Sequence, residues 1–122
     1  MDVDAGGDGS SAAVERTVRS FYAAIDEGAY DRLERLLGPS FVHRRPDQTL
    51  DGREQFVRFM REERPRTDTE HVLTTLCVST DDAPATAFAR GRLRSTDGQD
   101  LFGFVDVHRV DGVIESLTTY TD

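Results

Sequence analysis

The residue whose type and setting most suggest chemistry is Asp106. It lies in Leu101 to Val110, where alternation sets Phe102, Phe104, Asp106, His108 and Val110 on one face. Leu101, Val105, Val107 and Arg109 take the other. A face bearing two phenylalanines belongs toward a pocket, so this carboxyl is expected in apolar surroundings. Removal from water disfavours its charged form and raises its pKa, which suits a proton donor or general acid. The plainer alternative is an acid paired with an Arg or His that only satisfies the interior.

His43 and His108 are the next candidates. If both point inward they share a proton network with Asp106, and an imidazole titrating near neutrality is a serviceable base. Each alone could equally be a hydrogen-bonded ring at the pocket rim or the surface. His71, beside Glu70 at a strand start, is expected to be exposed. The three histidines with Asp106 could form a metal site but fit no ligand motif such as His-x-His or His-Glu-x-x-His, so no metal is expected, and no cofactor is expected either. Tyr22 and Tyr120 could each place a hydroxyl in the pocket, with Phe56, Phe59, Phe102 and Phe104 as its apolar walls. Cys77 has no basic neighbour in sequence and reads as a packed, inert thiol. Arg90, Arg92 and Arg94 share one strand face and read as solvated or ion-paired, while Arg44 and Arg45 stand where they could steer an anion.

The elements that must position these groups change period once along the chain. Ser10 or Ser11 can cap a helix carrying Val14, Val18, Phe21, Tyr22 and Ile25 at helical spacing, stopped by Gly28. A short helix follows with Asp31 in its first turn and Leu33, Leu36 and Leu37 on one face, ended by Gly38-Pro39. Phe41 to Arg45 reads as a short strand closed by the Pro46-Asp47 turn. Asp51 and Glu54 then form a variant capping box, opening a helix with Phe56, Val57, Phe59 and Met60 on one stripe up to Pro65. Four strands come next: His71 to Thr80, Ala85 to Ser95, Leu101 to Val110 and Val113 to Thr121. Asp81-Asp82, Asp97-Gly98 and Asp111-Gly112 turn the chain between them. Helices first and an antiparallel meander afterwards imply an α+β fold, with helices packed on one face of a curved sheet.

At 122 residues the chain suits one domain over residues 11–122, after an acidic, Gly-rich stretch at residues 1–10 expected to be disordered. That stretch is unlike a signal peptide, and no apolar run is long enough for a membrane span, so a cytoplasmic protein is expected. The net charge is −8, which argues against nucleic acid, because phosphate contacts need clustered positive charge. All 15 basic residues are arginine and Asp outnumbers Glu, 15 to 8. High salt screens such self-repulsion, so the balance suggests the salt-accumulating cytoplasm of a halophilic archaeon.

Three segments resemble one superfamily. They are Phe21-Tyr22-Ala23-Ala24-Ile25-Asp26-Glu27-Gly28 with the Leu-rich short helix, Phe41-Val42-His43 with Gly52-Arg53-Glu54-Gln55-Phe56, and Asp106-Val107-His108-Arg109-Val110-Asp111-Gly112-Val113-Ile114 leading to Tyr120. In this order the chain resembles the nuclear-transport-factor-2-like superfamily, the cone-shaped, cystatin-like fold of SnoaL-like cyclases and ketosteroid isomerases. The resemblance implies three N-terminal helices covering a curved, mainly antiparallel sheet, with a pocket between them. Ketosteroid isomerases use an Asp base, and a Tyr with a protonated Asp as oxyanion donors. Asp106 falls at the protonated-Asp position in a similar Asp-x-x-Arg setting, the base position falls on or next to His43, and the phenol position falls on Phe21, with Tyr22 one residue further round.

Two functions remain open. One is a pocket for a small, largely apolar molecule with isomerase, dehydratase or cyclase chemistry, Asp106 donating a hydrogen bond to a developing enolate and His43 or His108 moving the proton. The other is a non-catalytic ligand-binding or dimerisation domain. Both imply a homodimer, because Leu101, Val105 and Val107 would otherwise present apolar area to water on the outer sheet face.

Overall fold

A computed structural model describes residues 10–64 and 66–122. Apart from Ser10, the stretch expected to be disordered lies outside them. Helix α1 spans Ser11–Glu27, and the hydroxyl oxygen of Ser10 accepts a bond from the Ala13 N–H at 3.1 Å. That cap satisfies one of the donors every helix start leaves over. Gly28 ends α1 in the left-handed conformation at φ 69°, which a side chain would resist. Val14, Val18, Phe21, Tyr22 and Ile25 are all buried, as their spacing requires.

Helix α2 spans Tyr30–Arg35 and strand β1 Leu37–Arg44. Leu37 and Gly38-Pro39 therefore begin a strand and do not end the helix. The cause is a tertiary pairing: the Ile114 N–H donates to the Leu36 carbonyl at 2.8 Å, and Leu37 sits opposite Ile114. Pro39, which has no N–H to give, falls where the register breaks between Leu37 and Val42. Strand β2, Thr49–Asp51, returns antiparallel on β1. Three residues are too few to show a period, and nothing in the sequence marks them.

Helix α3 covers Arg53–Arg58 and continues as a π-helical turn over Phe59–Glu63. The capping box takes another form than expected. Gly52 is the cap residue, and the Gln55 side chain, not Glu54, reaches back to accept from the Asp51 N–H at 3.0 Å. Strands β3 (Thr69–Ser79), β4 (Ala85–Ser95), β5 (Asp100–Asp111) and β6 (Val113–Thr121) complete a single sheet in the order β2-β1-β6-β5-β4-β3. Every neighbour pair is antiparallel except β1 with β6. The fold is thus α+β, with the core between the helices and one face of a mixed six-stranded sheet.

Ala85, Ala87 and Ala89 give β4 a low inner face on which α1 can lie close. Gly91 continues that row where a Cβ would collide with the Val72 carbonyl oxygen and meet the Phe104 ring at 3.1 Å. Side chains on the sheet's other face stay in solvent. Phe88, Val105 and Tyr120 are exposed there, as is Cys77 opposite Phe88, so its thiol is not the packed one its sequence setting suggested. Among the described residues no helix is long and apolar enough to cross a membrane.

Candidate functional site

Between α1, α3 and the inner sheet face lies a cavity of about 280 Å³. Phe21, Ile25, Phe56, Leu93, Phe102 and Phe104 make most of its wall, and Asp106 is the acid that faces it. Alternation along β5 delivers Asp106 there: Phe104, Asp106, His108 and Val110 are buried, while Val105 points out. Leu101 departs from the expected pattern. The register between β4 and β5 slips at Leu93 and Arg94, and Leu101 joins the cavity wall instead of the outer face.

The Asp106 side chain is bonded through both oxygens. The Thr119 hydroxyl donates to Oδ1 and the Tyr22 hydroxyl to Oδ2, each at 2.6 Å. A hydroxyl has one proton, and both are spent on the carboxylate. Each hydroxyl oxygen must therefore accept from its second neighbour, His43 Nε2–H on Thr119 and His108 Nε2–H on Tyr22, both at 2.8 Å. This fixes the tautomers as Nε2–H and leaves Nδ1 of both buried rings an acceptor without a partner among the described residues. The outcome is a relay running inward from each imidazole through a hydroxyl to one carboxylate.

Burial pushes the Asp106 carboxyl up from the ordinary range, against the pull of the Thr119 and Tyr22 bonds and the charges of His71 and Arg45. The same burial, joined by the Asp106 charge and bond, raises the Tyr22 phenol well above its usual 10.0. His43 is lowered from 6.5 to about 3, first by burial, then by Arg45 and His108 against Asp47. His108 is lowered to about 3 by burial. Both rings are accordingly neutral near pH 7 and do not titrate there, contrary to the expectation of a base near neutrality.

The residues singled out in the sequence divide cleanly. Tyr22, His43, Phe56, Phe102, Phe104 and Asp106 all line the cavity. His108 does not: it is wholly buried behind the Tyr22 hydroxyl. Phe59 turns from the cavity and stacks under the Arg45 guanidinium, 5.0 Å from the ring centre. Tyr120 points outward and is 59% exposed, because the odd-numbered inner row of β6 runs through Leu117 and Thr119. The phenol that the resemblance places on Phe21 is carried by Tyr22, whose ring stands edge-on to Phe21.

His71 is the main departure. Far from exposed, it lines the cavity, with Nδ1 2.6 Å from Asp26 Oδ1 and its backbone N–H donating to Oδ2 at 2.9 Å. Asp26 is four residues after Tyr22, one helical turn along the same face of α1, and that spacing could have flagged it. Thr119 could have been found likewise, two residues from buried Leu117 on an alternating strand. Nothing local announces that Asp26 meets β3. Among the described residues no three His, Cys, Asp or Glu side chains gather as a metal site.

Comparison with known proteins follows the same lines. Residues 18–115 match the profile of a family described as the SnoaL-like domain. No curated protein matches the sequence. Among solved structures, the chain is similar to a provisionally named SnoaL-like polyketide cyclase from Jannaschia sp. CCS1, at 20% identity over 100% of this chain and 91% of that one, TM-score 0.72. A provisionally named ketosteroid isomerase from Kribbella flavida gives 21% identity over 88% of this chain and 76% of that one, TM-score 0.67. A protein of unknown function with a cystatin-like fold from Methylobium petroleophilum gives 16% identity, 92% and 77% coverage, and TM-score 0.75. At such identities the likeness concerns the fold, which hosts many activities.

Proposed function

Because the chain belongs to the SnoaL-like domain family, we propose that its cavity takes a small, largely apolar molecule with an acidic C–H beside a carbonyl, and that Asp106 moves the proton. The observation that carries this reading is a cavity-facing carboxyl only 5% exposed, held through both oxygens and with its pKa raised. Such a group combines some basicity at neutral pH with a fixed position, the two demands of general acid–base catalysis. Asp106 accepts the proton from one carbon on a free lone pair and returns it to another carbon in an isomerisation, or to the oxygen of the attacked carbonyl in a cyclisation. Tyr22 and Thr119 hold the carboxylate throughout, and the neutral His43 and His108 hold those hydroxyls. His71 shares the cavity wall, its Nδ1 held by Asp26.

Proton exchange tests this. Enolisable ketones and lactones incubated in deuterated water should lose α-protons faster with the protein, and Asp106→Asn should lower that rate by about a hundredfold or more. If the panel neither exchanges nor binds, the reading is wrong. Binding without exchange, unchanged in Asp106→Asn, would leave a carrier. That second reading draws on Asp106 being bonded through both oxygens without a ligand.

The outer sheet face supports a further expectation. Phe88, Val105 and Tyr120 share it while exposed, and pairing two such faces in a homodimer would cover them. Sedimentation at high salt checks it, and a monomer throughout refutes it.

A further inference from the structure

The chain carries a net charge of −8, yet among the described residues the formally charged groups on the cavity wall are three arginines and one acid. Arg45 and Arg64 are half-buried and Arg66 is exposed, so the arginines mark the solvent side of the wall, while Asp106 is buried. Two of these arginines lean on an acid of their own loop: Arg45 on Asp47 at 3.2 Å, and Arg66 on Asp68 through two bonds of 3.0 and 2.8 Å. Arg64 differs. Its guanidinium donates to two backbone carbonyls, Met60 at 3.0 Å and Ile25 at 3.5 Å, and to no carboxylate among the described residues. Carbonyls fix its position without cancelling its charge, and most of its five N–H donors remain. Arg45 is held too, over the Phe59 ring.

From this arrangement we infer that the ligand is an amphiphilic anion, an apolar body bearing a carboxylate that stays at the mouth on Arg64, with Arg45 and Arg66 beside it. Charge sets the orientation. The buried Asp106 repels an anion from the floor, the aromatic wall takes the apolar body, and a planar guanidinium presents the paired donors a carboxylate fits. The inference rests on the cavity being a ligand site, and adds the class of molecule and which end enters first.

A matched pair of probes separates the two claims. 2-Naphthoate and 2-naphthamide have the same shape and differ by one charge. Titrated at low salt by naphthyl fluorescence, the carboxylate should bind about tenfold more tightly than the amide. The ratio should shrink as salt rises. Arg64→Gln should weaken naphthoate several-fold and leave naphthamide unchanged. Arg66→Gln, which gives up no main-chain hydrogen bond among the described residues, should do so more weakly and serves if Arg64→Gln does not fold. Equal binding of acid and amide overturns the anion inference while the cavity reading stands. A preference that survives both substitutions overturns the assignment to these arginines. Binding of neither probe counts against both claims.

Discussion

Acidification should destabilise this protein well above the pH at which its carboxylates protonate. His43 and His108 are almost wholly buried, and each is lowered from 6.5 to about 3. Between those values the unfolded chain binds protons that the folded chain refuses, so stability is full above the unfolded pKa and falls as pH drops through it. From about pH 7 to about pH 5 this amounts to about 2 kcal/mol per histidine. Asp106 acts with the opposite sign. Its folded pKa lies above its unfolded one, so the native state gains a proton as pH falls, but one carboxyl cannot offset two imidazoles. The two imidazoles together lose about 4 kcal/mol, a large part of a typical domain's stability, and Asp106 offsets part of it. Urea unfolding followed by circular dichroism across this range, at fixed salt, measures it. His43→Gln and His108→Gln should each flatten the dependence by roughly half. A midpoint indifferent to pH, or one that rises on acidification, would refute the account of two neutral buried rings.

Tyr22→Phe removes a bond to a buried carboxylate and strands the His108 Nε2–H, so it should cost about 3 kcal/mol in urea unfolding; a loss under about 1 kcal/mol would show the relay to be weak. Gly91→Ala forces a methyl against the Val72 carbonyl and should lower stability by about 1 to 3 kcal/mol, read as a drop in melting temperature. Salt should raise the melting temperature steeply up to molar concentrations, because screening relieves a charge of −8; a flat response would count against a surface adapted to salt.

Much of this protein was legible along the chain because its signals are local. Period, caps and turn pairs locate α1, β4 and β6 closely, since helix and strand register depend on near neighbours. The inward aim of Asp106 follows equally from alternation, which backbone geometry enforces residue by residue. What sequence could not determine arises where distant segments meet. Leu37 becomes strand because Ile114 pairs beside it, and Leu101 turns inward because β4 and β5 slip register. Tyr120 turns outward and His108 sinks behind a phenol through the same long-range pairing. His71 finds Asp26 across 45 residues, and Arg64 reaches the Ile25 carbonyl across 39. The pKa values of the buried groups belong here too, because desolvation is a property of the closed core and not of any neighbour in sequence. Sequence alone decided the alternation or helical period within each element; the tertiary structure decided where that alternation shifts and what each side chain faces, because contacts between elements depend on how the whole sheet and its helices close.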